Sequence, residues 1–419
     1  MPAGDDDNLR NATPPVRDAQ STLGLWDAIS LVVGIVVGTA IFRSAPLVFQ
    51  NTSGPWQALA AWALGGALSL IGALCYAELA TTYPRSGGDY EYLTRAFGPW
   101  AGFMFGWAQL TAVFTSSVGT MAYAFGDYGV RLFGWPATSA VWLAAGSIVG
   151  MSLLNAWTVR AGKWTQNLLT MAKVAGIAGV IAAGAWTALS RGAAAPADGG
   201  TALSEMPAGT ASFGLAMVLV LYAYGGWNDA AFVAAEVRER RRNLPRAIIG
   251  GVAAVTAIYL AINAAYLATL GFAGAGATMT PAADVLESAI GPVGGAIVSA
   301  LVMLSALGAI NGMVLAGARV YAVMGADHRS MAWLGGWRAG RGTPRPALAA
   351  QAAVTLAMVL GVGTEPGRNF IDAALGAVGV GAAPWGRYSG GFDTLLAATA
   401  PVFWLLFLAT GLALPVLRL

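Results

Sequence analysis

Long apolar runs dominate this sequence, and short segments that hold most of the charged residues separate them. A transmembrane helix needs about 20 mostly apolar residues. Few of the runs alternate apolar and polar residues, so the pattern does not favour a transmembrane β-barrel. It predicts an all-α integral membrane protein with ten transmembrane helices, at about 25–48, 57–82, 97–132, 138–156, 164–189, 211–235, 247–271, 292–324, 346–362 and 394–417.

The composition agrees with a membrane protein and excludes several kinds of site. The chain is 57% hydrophobic and 10% charged, whereas a soluble domain has about 25% charged residues. Cys75 is the single cysteine and His328 the single histidine, so an intramolecular disulfide, a thiolate metal site and a paired-imidazole site are excluded. We therefore expect no cofactor.

The predicted helices fall into two halves. The first 20 residues have no apolar signal-peptide core, so we expect 1–20 to be a disordered tail. Residues 21–419 are then a single transmembrane domain. Its longest predicted outer loop, about 190–210, is rich in Ala, Gly and Pro and divides five helices (about 25–189) from five more (about 211–417).

The distribution of Lys and Arg predicts the orientation. Cytoplasmic loops of membrane proteins are enriched in these residues. We expect the chain in the inner (plasma) membrane, with its N-terminus in the cytoplasm. In this orientation 17 Lys and Arg residues lie in cytoplasmic segments. Four lie in segments on the outer side of the membrane, namely Arg131, Arg191, Arg368 and Arg387. Membrane topology explains the basic character of the chain better than nucleic acid does, so we expect membrane lipid and no nucleic acid as a partner.

The first helix of each half contains a segment that is unfavourable for a continuous helix. Gly34 and Gly38 lie within predicted helix 1, and the pair Gly225-Gly226 precedes Trp-Asn-Asp in predicted helix 6. Gly costs a helix interior about 1 kcal/mol relative to Ala, although small residues also serve helix packing in membranes. Interrupted helices at matching positions of two halves indicate a transporter binding site. Exposed N–H groups there attract a carboxylate and exposed carbonyls accept from an ammonium group, as a zwitterion requires.

Four stretches in order along the chain resemble the L-type amino acid transporters of the amino acid–polyamine–organocation superfamily. They are VGIVVGTAIFRSAP (33–46), ELATTYPRSGGDYEYLTRAFGPWAGFMFGW (78–107), LYAYGGWNDAAFVAAEVRERRRNLPRA (221–247) and SALGAINGMVLAGARVYAVMGAD (305–327). The resemblance implies a LeuT-like bundle of five plus five inverted-repeat helices, with helices 1 and 6 broken. It implies a sodium-independent secondary transporter of amino acids that works by alternating access, as a proton symporter or an exchanger.

The resemblance also implies a substrate site between helices 1, 3, 6 and 8. The first broken helix would hold the substrate carboxylate and the carbonyls of the second would hold its amine; Tyr222 would cover the substrate as a gate, and Asn228 would support the site. The expected substrate-binding residues are Ile35, Gly38, Thr39, Ala40, Ile41, Tyr222, Ala223, Gly225 and Asn228. Ala40, Arg43 and Asp229 depart from the family pattern and leave the substrate preference open. Arg43 either pairs with an acidic group or reaches the outer interface.

Lys173 is expected in a coupling role. An ionisable side chain among apolar neighbours in a membrane helix is expensive and marks function, although Lys173 is near enough to the cytoplasmic end of helix 5 to reach the interface. In sodium-independent members of the resembled family, a Lys at this position takes the place of the sodium ion and bridges helices 1, 5 and 8. Ser305, on helix 8, would share that role. We expect Glu236 to form an inner gate with an Arg from a loop.

Two other classes of function were considered. A membrane-embedded enzyme lacks support because His328 is in a predicted loop and no nucleophile–base set is evident. A non-transporting amino acid sensor, or an inactive truncated paralogue, is the remaining alternative, because the resembled family usually has twelve helices and this chain ends after the tenth predicted one. The oligomeric state is not indicated by the sequence.

Overall fold

The computed structural model describes residues 23–83, 87–190, 212–278, 280–335, 342–383, 385 and 390–418. The expected tail (1–20) and most of the loop at 190–210 lie outside these ranges. The side chains of Ala40 and Arg43 are likewise not described. The described residues form an all-helical bundle, and their only extended pairing is an isolated bridge between Leu23 and Val237.

Helices account for the predicted apolar runs of the first half. The helices are α1 (Leu25–Val36), α2 (Ala40–Gln50), α3 (Pro55–Thr82), α4 (Asp89–Phe97), α5 (Pro99–Ala108), α6 (Phe114–Phe133), α7 (Ala140–Trp157) and α8 (Val159–Ser190). A π-helical turn, Gln109–Val113, joins α5 to α6, so that both belong to one apolar run. Pro55 and Pro99 occupy the first position of their helices, where the missing N–H group has no intrahelical acceptor to lose.

The second half is also helical. Its elements are α9 (Phe213–Tyr224), a 3-10 segment (Trp227–Glu236), α10 (Arg240–Ala277), α11 (Pro281–Ile290), α12 (Val293–Asp327), α13 (Arg345–Gly363), α14 (Glu365–Ala377) and α15 (Gly391–Arg418). Helix α10 packs against α3, α1 and α8, and α12 packs against α6 and α8. The α1 helix and the 3-10 segment each contact both α10 and α12, and they therefore lie between these two long helices.

The outside of the bundle is apolar. Seven of the described helices are long and apolar enough to cross a membrane. Large apolar side chains on them face outward, and Trp56, Trp157 and Trp186, near helix ends, are 82%, 79% and 69% exposed. Trp is enriched at the two membrane–water interfaces. The buried centre belongs to α12, whose residues from Ser305 to Gly325 are almost all buried. The chain is therefore a multi-pass membrane protein.

Candidate substrate site between two interrupted helices

The first interruption lies between α1 and α2. Helix α1 ends at Val36, α2 begins at Ala40, and the three residues between are not helical. Carbonyl groups at a helix end have lost their intrahelical donors and need others. Side chains from three other helices donate to them: Lys173 Nζ to the Gly34 carbonyl at 2.7 Å, Ser305 Oγ to Val37 at 3.0 Å, and Tyr259 Oη to Val36 at 2.9 Å.

The second interruption lies at Gly225-Gly226, between α9 and the 3-10 segment. Gly226 has φ +102°, a conformation that residues with a side chain rarely adopt. A Cβ atom at Gly226 would lie 2.8 Å from Cγ2 of Ile35, so the second interruption directly contacts the last turn of α1, next to the first interruption. Tyr259 Oη is also 2.9 Å from the Ala223 carbonyl. One hydroxyl of α10 therefore lies between the last turns of both interrupted helices.

The structure brings most of the expected substrate-binding residues to these two interruptions. Ile35, Thr39, Ile41 and Ala223 are buried there, and Thr39 Oγ1 lies 3.5 Å from Sδ of Met121 on α6. Tyr222 is only half-buried, in the last turn of α9, and Gly225 donates its N–H group to the Tyr222 carbonyl at 3.0 Å. By backbone position, Gly38 lies in the first interruption and Ala40 is the first residue of α2, directly after it.

Asn228 is placed differently from the other expected residues. Its side chain is 6% exposed, and its Nδ2 lies 3.4 Å from Oδ2 of Asp89 on α4. The Asn228 side chain therefore points away from the second interruption and toward α4. Asp89 is 3% exposed, and this burial raises its pKa to about 7. No local signal distinguishes Asp89 in the sequence, because an acidic residue between two predicted membrane helices is usually solvated.

Lys173 is fully buried where α8 meets α1 and α12. Its ammonium group donates to Gly34 of α1, and a Cβ atom at Gly308 of α12 would lie 3.4 Å from it. No carboxylate pairs with it among the described ion pairs. The positive charge is thus held by a peptide carbonyl at the end of a half-helix, the end at which helix dipoles favour a cation.

Glu236 has a different partner from the one that the sequence suggested. We expected an Arg from a loop, but Glu236 binds Arg319, which is buried in α12, through Nε–Oε1 at 2.7 Å and Nη2–Oε2 at 3.3 Å. The backbone of Leu23 pairs with the same segment, because its N–H group donates to the Glu236 carbonyl at 3.0 Å. The beginning of α1, the end of the 3-10 segment and α12 are therefore joined at one side of the bundle, which we call the Leu23 side.

A second polar cluster lies on the Leu23 side, where α1 and α12 contact α7 and α8, and the sequence did not predict it. Asn311 of α12 accepts from Asn155 Nδ2 at 2.7 Å and donates to Gln166 Oε1 at 2.9 Å. Asp27 of α1 binds Lys163 at 3.0 Å and Asn167 at 2.7 Å. An Asn in the middle of a long apolar run is the signal that could have indicated this cluster.

One open cavity lies away from the interruptions. Its volume is about 370 Å³, and it is formed by α6, α11 and α12, with Arg131, Asp284 and Glu287 among its lining residues. Within the described ranges, no three His, Cys, Asp or Glu side chains are grouped closely enough to hold a metal ion.

Comparisons with known proteins agree with this architecture. The family description "amino acid permease" matches residues 23–418. The human b(0,+)-type amino acid transporter 1 is 34% identical over 270 residues, which cover 64% of this chain and 55% of that protein. The serine/threonine exchanger SteT of Bacillus subtilis is 32% identical over 282 residues, 66% of this chain and 62% of that protein. The chain thus spans little more than half the length of these relatives.

Two solved structures share the fold at low sequence identity. The nucleobase-cation-symport-1 family transporter MHP1 has a TM-score of 0.56 at 15% identity, with 97% of this chain and 95% of that one covered. A Na⁺-coupled sialic acid symporter has a TM-score of 0.55 at 13% identity, with 95% and 91% covered. The relatives are transporters and not enzymes. With the match of the family description to almost the whole chain, these findings show that the chain belongs to the amino acid permease family.

Proposed function

We propose that this protein is a sodium-independent secondary transporter that moves amino acids across the inner membrane by alternating access. In this proposal α1 and α2 form one interrupted transmembrane helix, and α9 with the 3-10 segment forms another. With the eight continuous spans they make ten transmembrane helices, arranged as one domain of two five-helix repeats. The observation that supports it most strongly is the direct contact of the second interruption with the last turn of α1, at Gly226 and Ile35.

The two interruptions offer opposite partial charges to one small zwitterion. Helix α2 begins at Ala40, and the amides of Thr39 and Ile41 donate to no backbone carbonyl in the described residues. The start of a helix attracts an anion, so this end suits the substrate carboxylate. Helix α9 ends at Tyr224, and carbonyls at a helix end attract a cation. Tyr222, Ala223 and Gly225 would therefore receive the substrate amine.

Lys173 is the proposed coupling residue. Its ammonium group contacts Gly34, and Ser305 binds the carbonyl of Val37 in the same interruption. A positive charge at this point would act in place of a bound sodium ion, by holding α1 against α8 and α12. Release or neutralisation of that charge would free α1 to move. The similarity to a serine/threonine exchanger supports exchange over proton symport.

The gates follow from the same arrangement. Tyr222 would cover the substrate from the outer side, and the Glu236–Arg319 ion pair would close the Leu23 side, which we place in the cytoplasm with the N-terminus. The ion pair is almost fully buried, which supports a closed Leu23 side. In this proposal the structure corresponds to a conformation that is closed toward the cytoplasm.

A flux measurement in liposomes tests the proposal. Purified protein should exchange labelled amino acids with an internal pool, and it should do so without sodium. Lys173→Ala should abolish this exchange, whereas Leu168→Ala, on the lipid-facing side of the same helix and 66% exposed, should transport like the wild type. Binding of amino acids without flux in the wild type would support a sensor instead. Normal exchange by Lys173→Ala would refute the coupling role.

A further inference from the structure

Three charged side chains line the open cavity between α6, α11 and α12. Arg131 comes from the last turn of α6, and Asp284 and Glu287 lie one turn apart on α11. The cavity volume of about 370 Å³ is near the lower end of the range of about 300–1,000 Å³ that small-molecule sites occupy. One positive and two negative groups therefore face a space that suits a small polar group.

These charged groups do not neutralise one another. The ion pairs of the described residues include none of Arg131, Asp284 and Glu287. Because all three line one cavity without forming an ion pair, the cavity separates groups of opposite sign. A ligand that carries a negative and a positive group a short distance apart would form charge-assisted hydrogen bonds with both kinds of side chain at once.

Two neutral residues complete the polar lining. Thr280 directly precedes α11, where a Thr hydroxyl usually accepts from the first turn of the helix, but it makes no such bond here. Its hydroxyl can therefore donate into the cavity. Gly295 lies in the first turn of α12, and a Cβ atom there would be 2.8 Å from Oε1 of Glu287. The absence of a side chain at Gly295 thus allows the Glu287 carboxylate to lie against the start of α12.

The cavity lies at the depth of the lipid headgroups. Its residues on α6 (128–132) are the last of one predicted transmembrane helix, and its residues on α12 (295–299) are among the first of another. Ser299 precedes Arg319 by 20 positions in α12, a rise of about 30 Å along the helix. The cavity is therefore at the opposite end of the bundle from the Leu23 side, and the proposed orientation places it at the outer leaflet.

An apolar surface adjoins the cavity. Ile290, at the end of α11, and Val293 and Ile297, one turn apart on α12, are large apolar side chains that are exposed. Trp135, shortly after the end of α6, is also exposed, and Trp is enriched at the membrane–water interfaces. A lipid whose headgroup enters the cavity would thus find apolar surface for its acyl chains beside it.

We propose that this cavity binds the headgroup of a phospholipid that carries a primary amine, with the phosphate at Arg131 and the ammonium group at Asp284 and Glu287. The hydroxyl of Thr280 is a second donor for the phosphate. The lining carries one negative charge in excess, which favours a zwitterionic headgroup over an anionic one. A primary ammonium group has three N–H donors, whereas a trimethylated one has none, so the site prefers phosphatidylethanolamine to phosphatidylcholine.

Competitive lipid binding to the purified protein tests this site. Delipidated protein in detergent is mixed with equal amounts of phosphatidylethanolamine and phosphatidylcholine that have the same acyl chains. The lipids that remain after washing are measured by mass spectrometry. The wild type should retain phosphatidylethanolamine over phosphatidylcholine by about tenfold or more, because one hydrogen bond to a charged group is worth at least this factor.

Variants assign the two parts of the headgroup. Arg131→Gln should weaken the retention of both lipids, because both carry a phosphate. The double variant Asp284→Asn/Glu287→Gln should retain the two lipids equally, because the acceptors that distinguish the ammonium groups are gone. Arg160→Gln and Glu239→Gln are the matched controls, which change exposed charges outside the cavity, and they should bind like the wild type. Thermal unfolding checks that each variant is folded.

Three results would overturn the lipid site. They are equal retention of the two lipids by the wild type, retention of neither lipid, and a preference for phosphatidylethanolamine that the folded double variant keeps. Displacement of the bound lipid by an excess of free amino acid would also overturn it, and would make a free amino acid the occupant of the cavity. Because lipid is measured and not flux, the result does not depend on the proposed transport function.

Discussion

The buried ion pair between Glu236 and Arg319 permits a quantitative test of how the Leu23 side is held closed. The two side chains are 3% and 2% exposed, and the guanidinium group makes two bonds to the carboxylate and a third, at 2.8 Å, to the Leu315 carbonyl. Removal of one partner of such a pair leaves an uncompensated buried charge and costs about 3–5 kcal/mol. Replacement of both partners by apolar residues of similar volume is often close to neutral.

Glu236→Met and Arg319→Met should therefore each lower the free energy of unfolding by about 3–5 kcal/mol, and the double variant should regain most of that loss. Denaturant unfolding in detergent micelles measures these differences. Glu239→Met is the matched control, because Glu239 lies 3.9 Å from Arg242 with both side chains more than half exposed, and exposed pairs contribute little. Single variants that unfold like the wild type, or a double variant no more stable than either single one, would refute the role of this pair.

Three further predictions follow from particular contacts. Gly226→Ala should destabilise the protein by about 1–3 kcal/mol through its positive φ, and further through the contact with Ile35. The control Gly291→Ala, with φ +79° and open space around it, should show only the cost of the backbone conformation. Equal losses of stability in thermal unfolding of the two variants would contradict the crowding at Gly226. Tyr259→Phe removes the hydroxyl between the two interruptions and should cost about 1–3 kcal/mol and weaken amino acid binding; wild-type affinity would show that the carbonyls need no donor. Asp89 has a pKa of about 7 in the folded protein and about 3.9 in the unfolded protein, so its protonation stabilises the folded state below pH 4, and this contribution is lost as the pH rises through 7. Asp89→Asn should therefore be more stable than the wild type at pH 8, by at most about 4 kcal/mol, and equally stable at pH 4. A stability difference that is the same at both pH values would contradict the assignment.

The sequence pattern indicated the long helices well, because a helix in lipid must be apolar over its whole length. It also pointed to Gly38 and to Gly225-Gly226, the places where α1 and α9 have ended in the structure. The short helices α4, α11 and α14 were not predicted. They have 9, 10 and 13 residues and lie between the apolar runs, where a local pattern of mixed polarity resembles a solvated loop.

Local sequence patterns do not show which residues far apart in the chain contact each other in the fold. Glu236 and Arg319 are 83 positions apart, and nothing near Glu236 in the sequence shows that its partner lies inside α12 and not in a loop. Tyr259 resembles an ordinary core residue of an apolar helix, since its role depends on two carbonyl groups contributed by α1 and α9. Asp89 and Asn228 are 139 positions apart, and only the fold shows that their side chains meet.

The most direct test of the account is amino acid binding by a protein whose first interruption has been filled. A Cβ atom at Gly38 would lie 3.6 Å from both the Ile35 carbonyl oxygen and Met121 Sδ, so that Gly38→Val is expected to fold while it narrows the place assigned to the substrate carboxylate. Gly146→Val, in a lipid-facing position of α7 with open space around it, is the control. Binding of labelled amino acids to the purified proteins should be retained by the wild type and by Gly146→Val and lost in folded Gly38→Val. Wild-type binding by Gly38→Val would contradict the account.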